Sequence, residues 1–403
     1  MNEVFIYDGI RTPFGRHGGK LAGVRPDELL AQTIRALLER AGIDGSLIED
    51  VIAGDTNQAG EDCRNVARNA ALLAGLPTTV AGMTVNRLCG SGIAATLDAT
   101  RVLRCGEGRL MVAAGVESMS RAPWVVSKAS SAWSRDQVMN DTTIGWRFPN
   151  PRFIQQFGGD TMPETADNIA RDLDISREDS DVFAHGSQQK YARARADEFF
   201  TDELLPVEVP PLKRKDPTQT LAEDEHPRPD TTLEKLAKLK PLQKRGVVTA
   251  GNASGINDGA GSLLLGTEEM GSKLGLKPRA RVISGAVAGV EPRVMGLGPV
   301  PASRKALQRA GLSLEDMDVI ELNEAFATQV LGCLKQLQLS FDDERINPNG
   351  GAIAVGHPLG ASGIRLILTA MRQLERSEGR YALATMCIGL GQGIAVVLER
   401  AQA

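Results

Sequence analysis

Two cysteines stand against glycine-rich turns, about three hundred residues apart. Cys89 lies in "VNRLCGSG", residues 85–92, and Cys387 lies in "TMCIGLGQG", residues 385–393. A thiolate is a strong nucleophile, and flanking glycines let a substrate approach the backbone closely. Cys89 follows the short apolar run "GMTVN" and precedes a helical pattern, so it is expected at a helix N-terminus, where the dipole favours a thiolate. A cysteine nucleophile needs a basic partner, and the chain has four histidines: His17, His185, His226 and His357. His185 falls in a helical pattern, His226 in a proline-rich loop and His17 in the turn "GRHGGK". His357 stands in "NPNGGAIAVGHPLGASG", residues 347–363, with five glycines in the stretch. It is the best candidate partner for Cys89. Asn323, in "IELNEAFA", is expected at a strand end, either as a helix cap or as a group that orients water.

The remaining cysteines, Cys63, Cys105 and Cys333, read as small, inert, buried hydrophobes. The total of five is odd and none are spaced C-x-x-C, which argues against disulfides and a zinc site. The "GLGQG" turn is followed by "IAVVLER", a strand pattern, whereas a dinucleotide fingerprint must open a helix. A net charge of −4 and 4% aromatic residues give no basis for a nucleic-acid partner. No apolar run reaches membrane-spanning length and the N-terminus lacks signal-peptide features, so a cytoplasmic location is expected.

An internal repeat positions these residues. "RALLERAGIDGSLIEDVI" from Arg35 and "RKALQRAGLSLEDMDVI" from Arg304 both read as a helix, a glycine cap, an acidic turn and a strand. Ser-Gly-Ile then opens a helix at Ser91 and again at Ser362, followed by Gly-Arg and an apolar strand. The spacing from Gly92 to Gly108 equals that from Gly363 to Gly379, sixteen residues. Two homologous α/β halves with largely parallel sheets follow. In this repeat His357 lies just before the glycines that match those after Cys89, so packing of the halves would bring the two turns together. Residues 121–249 match neither half. They carry Trp124, Trp133 and Trp146, contain one helical stretch, "EDSDVFAHGSQQKYARARADEFF", and otherwise read as a binding loop with little regular structure. The expected organisation is 1–120 plus 250–273 as the N-terminal half, 121–249 as a loop domain and 274–403 as the C-terminal half.

The motifs "DGIRTPFG", "NRLCGSG", "GVESMS", "NASGINDGA", "NEAFA", "GGAIAVGHPLGASG" and "CIGLGQG" occur in the order found in thiolases, and the chain resembles that family over essentially its whole length. The resemblance implies a five-layered αβαβα core built from duplicated halves, with an inserted loop domain. It implies acyl transfer by thiolytic cleavage of a 3-oxoacyl-CoA. Cys89 would carry the acyl group and Cys387 would move the proton at the α-carbon. His357 would activate Cys89 and bind the thioester oxygen with a water held by Asn323. The N–H groups of Cys89 and Gly389 would form a second oxyanion hole. Arg228 and Ser254 match positions that contact coenzyme A. The basic residues near 213–245 are interspersed with acids and read mostly as solvated surface. Coenzyme A is the expected co-substrate, with no tightly bound cofactor and no metal, and the resemblance suggests a homotetramer formed as a dimer of dimers.

"DTTIGWRFPNP", residues 141–151, and "MPETADNIA" are most similar to the 3-oxoadipyl-CoA group of the family, and Thr161 stands where acetoacetyl-CoA enzymes commonly carry histidine. Recognition of a terminal carboxylate calls for an arginine or an amide donor, and one of Arg147 and Arg152, which sit in this stretch, is the expected partner. The alternative within the family is an acetoacetyl-CoA thiolase, that is, an acetyl-CoA C-acetyltransferase. A ketosynthase of the same fold would pair one cysteine with two histidines. A non-catalytic lipid-binding protein of thiolase fold would not need Cys89, His357, Cys387 and Asn323 together. Ala114 and Val355 depart from common family residues and read as packing variants.

Overall fold

The computed structural model describes residues 2–211 and 217–401. Lys213, Arg214 and Lys215, the first of the basic residues near 213–245, lie outside them. In the N-terminal half the core elements are β1 (Val4–Arg11), α1 (Pro26–Ala41), β2 (Asp50–Gly54), α2 (Val66–Leu73), β3 (Ala81–Val85), α3 (Ser91–Cys105) and β4 (Leu110–Ser118). The intervening segment contributes α4 (Met162–Asp172) and α5 (Arg177–Ala196), and the chain then returns to the N-terminal sheet with β5 (Asn257–Thr267). The C-terminal half follows as β6 (Ala280–Gly289), α6 (Pro299–Ala310), β7 (Val319–Leu322), α7 (Ala327–Leu337), α8 (Leu359–Ser377), β8 (Tyr381–Ile388) and β9 (Gln392–Arg400).

The strands run in the order β7-β8-β9-β6-β1-β5-β4-β2-β3. Both halves share one pattern. β2 and β4 are parallel, as are β7 and β8, and the connections β4–β5–β1 and β8–β9–β6 are antiparallel. The halves are stitched where β1 pairs with β6, at Phe5↔Arg281 and Ile6↔Ala280. The counterpart of β3 in the second half is a single parallel bridge, Ile320↔Ile346. In both halves this edge piece leads into the functional turn.

The residue pattern dictates the layers. α1 and α2 bury Leu29, Ile34, Val66 and Ala70 against Val51, Val112 and Leu264 on one side of the N-terminal strands. α6 and α7 do the same with Ala306, Leu307, Val330 and Leu334 against Ile320, Leu383 and Val397. Between the two halves, α3 and α8 share one core: Ile93, Leu97, Ile364 and Leu368 pack with Ile52, Ala113, Ala384 and Val396. The result is five layers, αβαβα. β4 is buried along its whole length and β8 at every residue but Tyr381, as strands covered on both faces must be. The expected glycine caps hold: Gly42 after α1 and Gly311 after α6 have φ of 66° and 69°.

Residues 121–249 are more regular than the sequence suggests. Besides α4 and α5 they contain helices Pro151–Phe157 and Leu233–Ala237 and two short antiparallel ladders. The tryptophans do not form a buried binding face. Trp133 is 98% exposed and Trp124 67%. Only Trp146 packs inward, 5.5 Å from the Phe153 ring. Cys63 and Cys105 are exposed rather than buried, and only Cys333 behaves as a core residue. No helix among the described residues is long and apolar enough to cross a membrane.

Candidate active site

The middle layer builds the site. α3 and α8 cross at glycines: a Cβ on Gly92 would sit 2.7 Å from Gly360 O, and one on Gly363 would sit 2.3 Å from Ile93 N. Cys89 lies three residues before Gly92 and His357 three residues before Gly360, so both turns open at this crossing. Each turn is held by the serine of its Ser-Gly pair. Ser91 Oγ donates to Leu88 O at 2.6 Å and accepts from Arg87 N–H, which bends the chain into the left-handed region at Leu88, φ 46°. Ser362 Oγ, 3.1 Å from Pro358 O, donates to that carbonyl and lies 2.6 Å from His357 Nδ1. With its own proton spent on Pro358, Ser362 accepts from Nδ1–H, which leaves the lone pair on Nε2. That nitrogen meets Asn323 Nδ2 at 3.4 Å.

Asn323 is fully buried and its N–H donates to Thr385 O. Its Oδ1 has no hydrogen-bond partner among the described residues. Such a buried acceptor suits a water or a substrate group. Burial, reinforced by the Arg365 guanidinium, pushes His357 down to about 3, so the imidazole is uncharged at neutral pH.

The thiol behaves differently from the sequence expectation. Removal of hydration pushes Cys89 up to about 11, and the nearby Glu117 carboxylate adds to this. The cause is geometric. α3 begins at Ser91 with Gly90 as its cap, so the sulfur lies outside the first helical turn. Burial is the largest of the influences on the thiol. What does face the sulfur is the pair of backbone N–H groups of Gly389 and Cys89 itself, both of which favour the thiolate. Cys387, at the end of β8, is 1% exposed. Burial raises its thiol well above the ordinary value, and the neighbouring Cys89 sulfur raises it further. The two cysteines therefore share one electrostatic site. Cys387 packs with Ala166, Val248, Ala253, Met295, Ala325 and Phe326, an apolar wall that includes α4.

Ser254 joins this wall, its N–H donating to Ala325 O. Beside it lies His226, which the sequence reading passed over: a Cβ on Gly255 would meet His226 Cε1 at 2.2 Å. Burial, with help from the Arg228 charge, holds His226 down to about 4. His226 thus feels the Arg228 charge and packs on Gly255, the residue after Ser254. Of the two specificity candidates, Arg147 donates to Thr142 O, and its charge favours the ionised form of Glu117. Arg152 is exposed in the first turn of helix Pro151–Phe157.

Glu117 was quoted in a motif but given no role. It is buried, and its carboxylate accepts from Thr56 Oγ, Thr56 N–H and Gly360 N–H. It thereby ties the histidine turn of one half to the other. Burial raises it to about 7 despite those donors. A cavity of about 800 Å³ between α4 and residues 243–247 is lined by Asp167, Arg171, Lys244 and Arg245 and by none of the four central residues. It is a charged surface groove, not the seat of the chemistry.

Family models for the thiolase N-terminal domain and the thiolase C-terminal domain match residues 4–269 and 276–400. The chain belongs to the thiolase family. It is therefore an acyltransferase. Over 402 residues it is 59% identical to an Escherichia coli beta-ketoadipyl-CoA thiolase, covering 99% of this chain and all of that one. A Pseudomonas aeruginosa beta-ketoadipyl-CoA thiolase is 58% identical over 99% of each chain. An acetyl-CoA acetyltransferase from Pseudomonas aeruginosa is 44% identical over 99% of this chain and all of its own. Among solved structures, the human mitochondrial 3-ketoacyl-CoA thiolase in complex with CoA superposes with a TM-score of 0.91 at 39% identity, covering 99% of this chain and 98% of that one.

Proposed function

We propose that this thiolase cleaves 3-oxoadipyl-CoA with coenzyme A, giving succinyl-CoA and acetyl-CoA. The observation that carries the substrate is the margin in identity. Full-length beta-ketoadipyl-CoA thiolases stand at 55–59% and an acetyl-CoA acetyltransferase at 44%. Arg147 is the preferred partner for the terminal carboxylate, because its charge already acts on Glu117, which in turn acts on Cys89.

In the free enzyme Cys89 and His357 are both uncharged. The proton therefore moves to His357 Nε2 as the sulfur attacks the 3-keto carbon, not before. The N–H groups of Cys89 and Gly389 receive the oxygen charge that develops there. Cleavage of the C2–C3 bond leaves the succinyl group on Cys89 and expels the acetyl-CoA enolate. The enolate oxygen is met by His357 and a water on Asn323, and Cys387 delivers the proton to C2. A second coenzyme A thiol then gives its proton to the Cys387 thiolate and attacks the succinyl thioester, and His357 returns its proton to the departing Cys89 sulfur. Burial of Cys387 fits a group that must remain protonated until the enolate forms.

Coenzyme A lies along Ser254, Arg228 and the loop domain 121–249 in this reading. No tightly bound cofactor or metal takes part, the assembly is a homotetramer and the location is cytoplasmic. The test is thiolysis of 3-oxoadipyl-CoA, acetoacetyl-CoA and a longer 3-oxoacyl-CoA, compared by kcat/KM. A preference for 3-oxoadipyl-CoA is expected. A preference for acetoacetyl-CoA would keep the mechanism and overturn the substrate. Light scattering on the purified protein tests the tetramer.

A further inference from the structure

A buried ion pair stands one step behind the histidine. Arg365, on α8, is 1% exposed and its Nη1 donates to Glu321 Oε2 at 2.7 Å. Glu321, on β7, is fully buried. Neither group is satisfied: Arg365 Nε and Nη2 and Glu321 Oε1 have no hydrogen-bond partner among the described residues. Desolvating two charges is costly, and an apolar pair would join a helix to a strand at lower cost. The pair therefore calls for a reason other than stability.

Its placement supplies one. Arg365 follows Ser362 by three residues on α8, so the two side chains share one helix face. Ser362 is the acceptor that fixes His357 Nδ1. Glu321 precedes Asn323 by two residues along an extended chain, so these side chains also share one face. Asn323 is the group that meets His357 Nε2. One element thus holds one side of the imidazole and the other element supplies its partner. The ion pair joins the two elements directly behind both.

We propose that Arg365 and Glu321 are positioning residues for the thiolase reaction: their ion pair sets the spacing of α8 and β7 at which His357 and Asn323 converge. The proposal rests on the roles given above to His357 and Asn323. The other titratable groups around this turn have other partners or are neutral. Glu117 reaches the turn at Gly360 N–H, and its other donors are the Oγ and N–H of Thr56 in the N-terminal half. Glu324 spends its oxygens on Ser187, Asn347 and Ile353 N–H. The thiols Cys89 and Cys387 are neutral at the pH of turnover. A nearby cation disfavours the imidazolium. Arg365 is the charged group that acts on His357 in this sense.

The test uses R365M, R365K, E321Q and the double variant R365M/E321M. It follows kcat, the KM for coenzyme A, the pH profile of kcat/KM and the melting temperature. For R365M, kcat is expected to fall about 10- to 100-fold, as for a displaced catalytic group, with the KM for coenzyme A little changed. The acid limb of kcat/KM should move toward neutral pH by roughly one pH unit, because the repelling cation is gone. R365K keeps the charge and should leave the acid limb in place. E321Q keeps the guanidinium and should lower kcat without moving the limb upward. R365M/E321M removes both charges without leaving one unpaired, so it is expected to fold yet retain the low kcat and the raised limb. A folded double variant with wild-type kcat and an unmoved limb would overturn the proposal, as would an equal limb shift in R365M and R365K. Retained turnover in H357A would instead overturn the site assignment on which the proposal rests.

Discussion

Replacing Ser362 with Ala isolates the tautomer of His357 from everything else in the site. Ser362 Oγ accepts from Nδ1 at 2.6 Å and donates to Pro358 O at 3.1 Å. The Ala variant removes the acceptor but leaves the ring buried. Nδ1–H would then be a buried donor without a partner, at a cost of about 1–3 kcal/mol. The ring can escape that cost by moving its proton to Nε2, where it would block the lone pair that faces the site. The preference for the useful tautomer thus falls by roughly 5- to 150-fold. Because Ser362 touches neither coenzyme A nor the acyl chain in this reading, the loss is expected in kcat. The assay is steady-state thiolysis, with kcat and KM separated. Nitrogen-15 spectra of histidine-labelled protein would report the proton position directly. Wild-type kcat in S362A, with Nε2 still unprotonated, would refute the claim that this serine selects the tautomer.

Three further outcomes follow from the geometry. G360A would place a Cβ 2.3 Å from Val116 O and 2.6 Å from Gly54 O, both backbone atoms that cannot rotate away. It should displace the histidine turn, abolish turnover and lower the melting temperature. His357 is held at about 3 when folded and lies near 6.5 when unfolded, so the unfolded chain binds more protons between those values. Its contribution to stability is full above pH 6.5 and is lost as pH falls. Urea denaturation should therefore show H357Q losing about 2 kcal/mol less than wild type between pH 7 and pH 5. R147A should reduce the preference for 3-oxoadipyl-CoA over acetoacetyl-CoA by roughly 10-fold or more, while R152A leaves it unchanged. Equal effects of the two variants would remove Arg147 from the specificity argument.

The duplicated architecture was readable because it is written locally. Arg-Ala-Gly at a helix end, Asp-Val-Ile opening a strand and Ser-Gly-Ile opening a helix recur in order, and the structure places each pair at equivalent points. The approach of the Cys89 and His357 turns followed from that repeat, through glycines that only a close helix crossing requires. The ionisation of the Cys89 thiol depends on burial and on the distant groups Gly389 and Glu117, which no local motif displays. Glu117 was overlooked for the same reason: its partners, Thr56 and Gly360, lie 61 and 243 residues away. His226 gave no signal in its loop, since its meaning comes from contact with Gly255. In the inserted segment the helix after Ser176 was legible, and the starts of two more are present at Asn150 and Thr161, each a cap followed within two residues by Pro.

The seam at β1 and β6 has a meaning for how such a site can arise. On either side of it the strands recur in mirrored order, β1-β5-β4-β2 and β6-β9-β8-β7. This is the layout of a two-fold symmetric pair fused into a single chain. Two identical subunits must carry every substitution twice, so each would have to bear the nucleophile and the base alike. Fusion removes that obligation. In the proposed mechanism one copy of the turn brings the attacking sulfur of Cys89 and the other brings His357, which receives its proton. Unequal turns of this kind are open to a fused pair and closed to two identical subunits.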